Sequence, residues 1–576
     1  MLLLGIHDGH NSSACLFSDG EILFAIQEER LTNIKNFFGL PIKCIKLILK
    51  KFNLSPCDID KVILNGFKVP NPVQVNEMLS SIRSNQKKKF YNIIKQIARN
   101  SPIYNLYVNN NKSHRIKQIV KLGFKVSQID FIEHHLAHAS SAYYGSPWWN
   151  KNKKVLILTL DGGGDKICST VSIGENAIIN RLHSSPDSNS IGILYSLVTF
   201  LLGFVPLEHE YKLMGLAPYA SEKNSITSYK TFSSYLCLDS KNKNLTFNRK
   251  IIEPISSSYS RLRSDLELQR FDSVCRGLQD FCEDIVVKWI KSSIKETKIN
   301  TLCLSGGVFM NVKVNKRIME LPEVQELFIF PSCGDETNIF GAVWNNYITY
   351  KTERNESIDL KSFGPFYFGS EIKNENVEPA LRKLKKELPI NYNYREDIND
   401  YVGELLGKNE IVARANGKME FGARALGNRS ILADASDLKN IRILNMMVKN
   451  RDFWMPFAPA IMSEYEKKYI INKKNIPSPY MILSYDTTSS RNEIIAAIHQ
   501  ADLTARPQIV YKDWNHEYHS IIARYEKITN TGGLLNTSFN LHGFPIVNGI
   551  NDALWVFKNC GLKFLQLGDY IVEKTI

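Results

Sequence analysis

The chain has 576 residues with a net charge of +14; 44% are hydrophobic and 23% charged, a composition typical of a globular protein with two or three domains. Its ten cysteines include no C-x-x-C pair, so we expect reduced thiols rather than a disulfide framework or a zinc ribbon. No apolar run approaches the ~20 residues that span a bilayer and the N-terminus lacks the basic start of a signal peptide, so we expect a soluble, cytoplasmic protein with no membrane partner.

The first thirty residues predict three strands joined by turns. Strand LLLGI is followed by the polar glycine turn HDGHNSS, strand ACLF, the tight turn SDGE and strand ILFAIQEER. Asp19-Gly20 is a strong hairpin signal.

The positive charge is concentrated between Glu77 and Asp130, where eleven lysines and arginines occur without an acidic residue. We predict a basic, mostly helical insertion over about residues 78–129. It is either a solvated face or a docking surface for an acidic acceptor or a polyanion. No RNA-binding motif or zinc finger accompanies it, so no nucleic-acid partner is expected.

Three histidines follow in FIEHHLAHASSAYYG. A strand leads into them, and HHLAHASSAYY then predicts a helix that ends at Gly145. His134 and His138 are spaced i,i+4 on one helix face, so both imidazoles could reach one ion, whereas His135 is one position round. Buried core histidines are the alternative interpretation.

From Val155 the strand and turn pattern of the N-terminus recurs as VLILTL, DGGGD, ICSTVSI, GEN and AII. The repeat predicts two related halves. Glycine turns let backbone N–H groups approach phosphates closely, so Gly162, Gly163 and Gly164 are candidate nucleotide-binding residues, although glycines also serve merely to close hairpins.

A third glycine element, TLCLSGGVFMNVKVNKRIM, predicts strand Thr301–Ser305, a turn at Gly306-Gly307 and a helix from Val308. The start of this helix suits a phosphate or the polar edge of a nucleoside, so Gly306, Gly307 and Asn311 are candidate nucleotide-binding residues.

The next motif, GDETNIFGA, places Asp335 at the start of a helix. An acid there usually complements the helix dipole. With His134, His138 and Asp161, however, it completes a mixed nitrogen and oxygen set suited to Fe(II), Mn(II) or Zn(II).

After Tyr350 the chain becomes polar, which predicts a linker over residues 356–384 and a second domain over residues 385–576. Cations recur among glycines in RANGKMEFGARALGNRS and NMMVKNRDFW, and ADLTARPQIV adds another. Guanidinium and ammonium groups in such a setting predict an anion site. Its candidate residues are Lys418, Arg424, Arg429, Lys449, Arg451 and Arg506.

The motif NTSFN near the C-terminus supplies neutral hydrogen-bonding partners at a strand end. Asn536, Ser538 and Asn540 are the candidates. A loop that caps itself with short polar side chains is the alternative.

The motifs HHLAHASSAYY, LDGGGD, EHEYKLMGLAPYA, LSGGVFMNVKVNKRI and GDETNIFGA resemble, in this order, the N-terminal domain of the NodU/CmcH-type O-carbamoyltransferases of antibiotic and nodulation-factor biosynthesis. The resemblance implies an α/β fold whose first domain, residues 1–355, is a duplicated actin-like (ASKHA) ATPase-type domain related to tRNA threonylcarbamoyl-transferases. It implies a divalent metal, Fe(II) first, that holds the phosphate of a carbamoyl-adenylate. The implied ligands are His134, His138, Asp161 and Asp335.

The same resemblance implies that His10 takes part in the step that transfers the carbamoyl group. The family usually has His-Asp-Ser-Ser there, whereas this chain has Asn11. A neutral Asn11 would hold His10 less strongly in its basic form, unless Asp8 compensates.

The motifs around GKMEFGARALGNRSIL, PFAPA, TARPQ and NTSFN resemble the family's C-terminal α/β YrdC-like domain. That domain makes carbamoyl-adenylate from carbamoyl phosphate and ATP, with Mg(II) accompanying ATP. Lys418, Arg424 and Arg429 would stabilise the charge on the phosphates. Phe544 replaces a common family glutamate, which affects only a local polar contact.

The resemblance thus implies an enzyme that activates a carbamoyl group and transfers it to the hydroxyl of a small molecule, a natural product or a sugar. The acceptor's identity stays open, as does a homodimer. The alternatives are a tRNA threonylcarbamoyl-type enzyme, an actin-fold small-molecule kinase and a non-catalytic nucleotide-binding module.

Overall fold

Residues 1–69 and 102–575 are described by the computed structural model, and they fall into two units that each have their own sheets. The first unit comprises residues 1–28 and 36–363, and the second comprises residues 29–35 together with everything from Gly364 onward. Of the predicted basic insertion, residues 78–101 lie outside the described residues.

The first unit contains two five-stranded sheets and a separate two-stranded ladder. Its strands are β1 Leu2–His7, β2 Ser13–Ser18, β3 Glu21–Gln27, β4 Lys61–Asn65, β5 Ile129–Ile132, β6 Val155–Gly164, β7 Ile167–Glu175, β8 Ile178–Pro186, β9 Leu236–Leu238, β10 Phe247–Arg249, β11 Thr301–Ser305 and β12 Glu326–Ile329. The central strands β1 and β6 are continuous apolar runs because both faces of each are buried.

The two five-stranded sheets have the same topology. Their strand orders are β3-β2-β1-β4-β5 and β8-β7-β6-β11-β12. In each, three antiparallel strands are followed by two parallel ones: β1 pairs in parallel with β4, as β6 does with β11. The expected duplicated α/β architecture of the actin-like type is therefore confirmed.

Eleven α-helices belong to the described N-terminal part of the chain, up to Glu353. They are α1 Glu29–Thr32, α2 Ile42–Lys51, α3 Pro102–Val120, α4 His134–Tyr144, α5 Ile191–Leu201, α6 Glu210–Leu216, α7 Glu222–Ser233, α8 Tyr259–Asp265, α9 Phe271–Thr297, α10 Val312–Met319 and α11 Asn338–Glu353. Helix α1 falls in the second unit.

Helices α4 and α11 pack at very short range because Gly341 has no side chain. A Cβ on Gly341 would lie 2.0 Å from the Ala137 carbonyl oxygen. The Ser141 hydroxyl fills the crossing instead, accepting from the Gly341 N–H at 3.0 Å and donating to the Thr337 carbonyl at 3.1 Å. This crossing holds the histidine face of α4 beside the segment that carries Asp335.

The second unit is built on one eight-stranded mixed sheet and a two-stranded ladder. Its strands are β13 Ile390–Tyr394, β14 Val412–Ala415, β15 Arg429–Asp434, β16 Ala458–Met462, β17 Tyr485–Asp486, β18 Thr504–Ala505, β19 Gln508–Val510, β20 Gly533–Ser538, β21 Phe564–Leu567 and β22 Tyr570–Lys574. The large sheet has the order β13-β22-β21-β14-β15-β20-β16-β19.

Further helices of the second unit are α12 Val377–Leu384, α13 Ile398–Gly407, α14 Lys439–Leu444, α15 Glu466–Tyr469, α16 His516–Thr529 and α17 Ile550–Lys558. Helices α13 and α16 cover one face of the sheet through an apolar cluster that includes Val402, Leu406, Ile521 and Tyr525. Helix α12 falls within the stretch predicted as a linker. Its apolar side, with Val377 and Leu381, is buried.

Candidate metal centre and anion site

Four predicted metal ligands converge in the first unit. One ligand atom from each of His134, His138, Asp161 and Asp335 lies within 4.8 Å of all the others. His134 Nε2 is 3.3 Å from Asp161 Oδ2 and 3.4 Å from Asp335 Oδ1, and His138 Nε2 is 3.2 Å from the same Asp335 oxygen. Two imidazole nitrogens and two carboxylates fit a divalent first-row metal ion.

Local structure explains why the two histidines face the same way. The Glu133 side chain caps α4 by accepting hydrogen bonds from the His135 and Leu136 N–H groups, which starts the helix at His134. His138 then follows one turn later on the same face. The Asp165 carboxylate accepts from the His134 N–H at 2.9 Å and fixes the first turn further.

One carboxylate lies within a buried strand, and the other lies in the segment that follows one. Asp161 comes directly after Leu160 in β6, and its Oδ1 accepts from the Gly307 N–H at 3.0 Å. Asp335 begins a short 3-10 turn that leads into α11. The Gly307 N–H, predicted as an anion donor, is therefore used by Asp161.

Each histidine of the cluster has a polar partner at its other ring nitrogen. His138 Nδ1 is 3.1 Å from the Ser305 hydroxyl, and His134 Nδ1 is 3.5 Å from the Asn65 amide. A histidine that ligates through Nε2 carries its proton on Nδ1, so the Ser305 hydroxyl should accept from His138. The Asn65 amide nitrogen is shared with His7 Nδ1, 3.1 Å away, and its Oδ1 is buried without a partner among the described residues.

The buried charges of the cluster shift one another's pKa values. Burial acts to lower the pKa of His134, but the Asp335 and Asp161 carboxylates outweigh it and raise the pKa to about 10. Burial acts to raise the pKa of Asp161, yet the hydrogen bond with His134 and the neighbouring imidazoles hold it well below its usual range. The carboxylates of the cluster therefore stay ionised. Their negative charge favours binding of a proton or a divalent cation.

His135 has a different environment. It is fully buried, with Nδ1 2.8 Å from the Thr159 hydroxyl and Nε2 2.9 Å from the Ile167 carbonyl oxygen. Burial, together with His134 and His138, lowers its pKa to about 3. His135 is therefore a neutral core residue.

The DGGGD glycines do not form the expected turn. Strand β6 continues through Gly164 with an irregular register after Leu160, and the hairpin turn is Asp165-Lys166. A Cβ on Gly164 would lie 2.2 Å from Cγ of His134, so glycine is needed for the strand to pass the imidazole. Gly162 and Gly163 lie in the same strand segment beside Asp161.

The third glycine element is likewise used by the fold. Gly306 has φ 113° and packs so closely on β6 that a Cβ would lie 2.3 Å from the Leu160 carbonyl oxygen. The predicted helix begins later, because a 3-10 turn precedes α10. Asn311 caps α10 and donates to the Gln279 side chain at 2.9 Å, so its amide is engaged within the fold.

The N-terminal turn brings a histidine that the sequence analysis did not single out into this region. His7 is buried, its Nδ1 lies 3.1 Å from the Asn65 amide, and its Nε2 lies 2.9 Å from the His10 carbonyl oxygen. Burial lowers the pKa of His7, against the opposing charges of Asp335 and Asp8. Its place at the end of a buried strand, just before a glycine turn, is the signal that could have found it.

The two residues expected to orient His10 have other partners. The Asn11 side chain accepts from the Gln27 amide at 2.9 Å. Asp8 forms a buried, bidentate pair with Arg115, at 2.7 Å for both bonds. The structure instead places His7 next to His10, with His7 Nε2 2.9 Å from the His10 carbonyl oxygen.

In the second unit, Lys449 and Arg451 lie against the NTSFN strand end. Lys449 is 2% exposed, and its ammonium donates to Asn540 Oδ1 at 2.7 Å and to the Ser538 hydroxyl at 3.3 Å. Arg451 donates to the Thr537 hydroxyl at 3.3 Å. Burial, with the charges of Arg451 and Lys35, holds the pKa of Lys449 well below its usual value.

Arg506 lies in the same cluster. Burial, with the positive charges of Arg424 and Arg451, lowers the pKa of Arg506 well below its usual value. Within the described part of the chain, its guanidinium has no hydrogen bond or ion pair. Lys35, from the short N-terminal segment in this unit, is an added cation that the sequence analysis missed.

Three other predicted residues have surroundings unlike those of Lys449, Arg451 and Arg506. Arg429 is fully buried and donates to backbone carbonyl oxygens, so it ties loops together; its acceptors are Ser370, Asn416, Gly417, Asn428 and Asn548. Lys418 is exposed. Asn536 donates to Ala425 and Gln508, while its buried Oδ1 has no partner among the described residues.

None of the helices in the described ranges is both long enough and apolar enough to cross a membrane.

Comparison with known proteins agrees with this division of the chain. The family model described as carbamoyltransferase N-terminus matches residues 2–344, and the one described as carbamoyltransferase C-terminus matches residues 403–574. The uncharacterized protein MJ1051 of Methanocaldococcus jannaschii is 32% identical over 585 residues, covering 100% of both chains. Nodulation protein NolNO of Sinorhizobium fredii is 28% identical over 569 residues, covering 98% of this chain and 79% of its own.

Nodulation protein NolO of Bradyrhizobium diazoefficiens is 29% identical over 445 residues, covering 77% of this chain and 79% of its own. The match of the N-terminal family model to more than half of the chain, with the full-length similarity to MJ1051, shows that the chain belongs to the carbamoyltransferase family.

Proposed function

We propose that the chain is an ATP-dependent O-carbamoyltransferase that works in two steps. The second unit, which we assign as the YrdC-like domain, converts carbamoyl phosphate and ATP into carbamoyl-adenylate. The first unit transfers the carbamoyl group from the adenylate to a hydroxyl of a small-molecule acceptor and releases AMP.

The first step balances when water takes part. Water cleaves the phosphate from carbamoyl phosphate, giving carbamate and inorganic phosphate. A carbamate oxygen then attacks the α-phosphorus of ATP, and pyrophosphate leaves. Negative charge accumulates on the phosphates during this displacement, so fixed cations around them stabilise the transition state.

The environment of Arg506 is the observation that supports this assignment most directly. Arg506 is a cation without an acidic partner among the described residues, and Arg424 and Arg451 are close enough to depress its pKa. Burying the Arg506 guanidinium beside other cations is costly unless an anion joins it. ATP with Mg(II) and carbamoyl phosphate bring several negative charges.

Neighbouring polar groups suit the rest of the substrate. Asn536 Oδ1 is a buried acceptor with no partner among the described residues, and a carbamoyl NH₂ is a donor of matching size. Ser538 and Asn540 orient Lys449 by accepting from its ammonium. Arg429 is not part of this catalytic set, because its donors are occupied by backbone carbonyl oxygens.

The four-residue cluster of the first unit serves the second step. His134, His138, Asp161 and Asp335 would hold a divalent cation, Fe(II), Mn(II) or Zn(II), which supplies positive charge for the phosphate of the adenylate. Ser305 orients the His138 imidazole by accepting from its Nδ1–H.

The transfer itself needs a base for the acceptor hydroxyl. We assign this role to His10, because imidazole is the side chain whose ordinary pKa best suits proton removal near neutral pH. The hydroxyl oxygen attacks the carbamoyl carbon, its proton passes to His10, and AMP leaves. His7 positions the turn through the His10 carbonyl oxygen.

Product analysis tests this function. The full chain is incubated with ATP, Mg(II) and ¹⁴C-carbamoyl phosphate, and pyrophosphate, AMP, ADP and inorganic phosphate are quantified. Pyrophosphate release that depends on carbamoyl phosphate is expected. ADP without pyrophosphate would indicate a kinase, and pyrophosphate release that requires threonine and bicarbonate would indicate a threonylcarbamoyl-type enzyme.

A further inference from the structure

A cavity of about 320 Å³ lies in the first unit beside the helix that carries the two candidate histidine ligands. It opens to solvent, and its walls come from the start of α4 and from strands β7 and β8. The residues that line it are Glu133, Leu136, Ala139, Ser172, Ile179 and Arg181. This volume is at the lower end of the range for small-molecule sites, which begins at about 300 Å³.

Helical geometry separates the cavity from the metal centre. Leu136 and Ala139 follow His134 along α4, and at about 100° per residue they lie about 200° and 140° around the helix from it. His138, by contrast, lies within about 40° of His134. The cavity and the metal cluster are therefore on opposite sides of one helix.

The other wall is one face of the sheet that contains β7 and β8. Ser172 of β7 is directly opposite Arg181 of β8, and Gly174 is opposite Ile179. Directly opposed residues, and residues two apart along a strand, point to the same face. This face is turned toward α4, because a Cβ on Gly174 would lie 2.7 Å from Cε2 of Tyr143 in that helix. The cavity is the space between this face and the first turns of α4.

Two polar side chains of the cavity have unused hydrogen-bonding groups. Ser172 is 1% exposed, and its hydroxyl has no hydrogen-bond partner among the described residues. Arg181 contacts the Glu133 carboxylate through Nη2, whereas its Nε and Nη1 make no hydrogen bond within the described part of the chain. Buried polar groups are nearly always hydrogen-bonded, so these groups require a partner that the described protein residues do not provide.

The charges of the cavity are balanced. Glu133 and Arg181 form an ion pair, and the Glu133 oxygens also accept from the backbone N–H groups of His135 and Leu136 at the start of α4. A charged ligand would lose its hydration without meeting an unpaired opposite charge, which is costly. Because the remaining wall is apolar, the cavity suits an uncharged molecule that is apolar along most of its length.

We propose that this cavity binds an uncharged amphiphile whose terminal group both donates and accepts hydrogen bonds, such as an aliphatic carboxamide. Its carbonyl oxygen accepts from Arg181 Nε or Nη1, and its amide nitrogen donates to the Ser172 hydroxyl. One terminal group can reach both side chains, because they are directly opposed and the Cβ atoms of such pairs are about 5 Å apart. The aliphatic chain packs on Leu136, Ala139 and Ile179. This site is additional to the proposed carbamoyl transfer and does not depend on it.

Ligand-observed NMR titration of the full wild-type chain, without ATP or carbamoyl phosphate, measures this binding. The probe is hexanamide, with acetamide as its match without the chain and hexanoate as its charged match. Each fully buried methylene raises affinity about fourfold. Hexanamide should therefore bind at least about tenfold more tightly than acetamide, and hexanoate should bind several-fold more weakly than hexanamide.

Two tryptophan substitutions on β8 locate the site. Ile179 lines the cavity, so Ile179→Trp should fill it and lower hexanamide affinity at least about tenfold. Ile178 is 53% exposed and, as the preceding residue, points to the opposite face of the strand. Ile178→Trp is therefore the matched control and should leave the affinity unchanged. Tryptophan is favoured in strands, and thermal unfolding verifies that both variants are folded.

A smaller change tests the hydrogen bond to Ser172. Ser172→Ala should weaken hexanamide binding about two- to tenfold, and this measurement decides the matter even where a tryptophan variant does not fold. Equal affinities of hexanamide and hexanoate, equal effects of the two tryptophan substitutions, or unchanged affinity in Ser172→Ala would each overturn the proposal. Because binding needs no turnover, a chain that binds hexanamide as expected but releases no pyrophosphate would refute the proposed function and leave this site in place.

Discussion

Replacing Asp161 with asparagine should remove one negative charge from the metal centre and leave its framework intact. The wild-type Oδ1 accepts from the Gly307 N–H at 3.0 Å, and an amide oxygen can accept the same hydrogen bond. The variant therefore loses charge and metal affinity rather than the loop connection.

The size of the change in stability follows from the raised pKa of His134. In the metal-free protein, burial acts to lower the pKa of His134, and Asp335 and Asp161 together raise it from 6.5 to about 10. Loss of one of the two carboxylates should lower this pKa by about one to two units, or ~1.4–2.7 kcal/mol. Because the folded-state pKa lies above the unfolded one, this stabilisation is complete below about pH 6.5 and is lost as the pH rises through about 10.

NMR titration of the histidine Cε1–H resonances and thermal unfolding at about pH 6 and pH 10 measure these changes. Asp161→Asn should lose stability at the lower pH and little at the higher one. Isothermal titration should show Mn(II) binding weakened by at least about 100-fold. Asp130→Asn, an exposed carboxylate paired with Lys61, is the matched control. A His134 pKa that stays near 10 in Asp161→Asn would refute this electrostatic reasoning.

The remaining predictions concern one residue of each unit and the metal. Ser305→Ala removes the acceptor at His138 Nδ1, so Mn(II) affinity measured by calorimetry should fall about 10–100-fold; unchanged affinity would exclude this orienting role. Arg506→Gln should reduce pyrophosphate release by at least about 100-fold, while Arg382→Gln, an exposed arginine paired with Glu378, should retain it; equal rates would remove Arg506 from the site. Treatment with a chelator, followed by Mg(II) to support ATP, should abolish carbamoyl transfer but preserve pyrophosphate release, and loss of both would contradict separate sites.

The sequence predicted the elements that depend on local patterning. The strand before His134, the helix that follows and its end at Gly145 could be predicted from hydrophobic pattern and turn residues. The recurrence of the strand and turn pattern at Val155 predicted the duplication, because each copy needs the same buried central strand. The spacing of His134 and His138 placed both on one face for the same local reason.

Other features depend on tertiary contacts that a single sequence does not display. The glycines after Asp161 resemble a turn, but Gly164 is required because the strand passes against the His134 ring. His7 resembles any strand end until β4 brings Asn65 to it. Arg429 resembles its neighbouring cations in sequence, yet the loops around it present carbonyl oxygens on several sides.

The position of Lys35 is another feature that could not be predicted from the sequence, and here the sequence distance is greater. Lys35 lies far in sequence from the rest of the second unit, and nothing in the local pattern links it to Lys449. The grouping of residues 29–35 with that unit is a property of the fold. Long-range pairing of this kind follows from packing rather than from periodicity.

The most direct test is rapid-quench detection of ¹⁴C-carbamoyl-adenylate in two variants of the full chain. His138→Ala removes a metal ligand from the first unit, so it should form carbamoyl-adenylate and pyrophosphate and fail to carbamoylate an acceptor. Arg506→Gln should form neither adenylate nor pyrophosphate, yet carbamoylate the acceptor when given synthetic carbamoyl-adenylate. Failure of His138→Ala to form the adenylate, or of Arg506→Gln to use it, would contradict the assignment of the two steps to two separate sites.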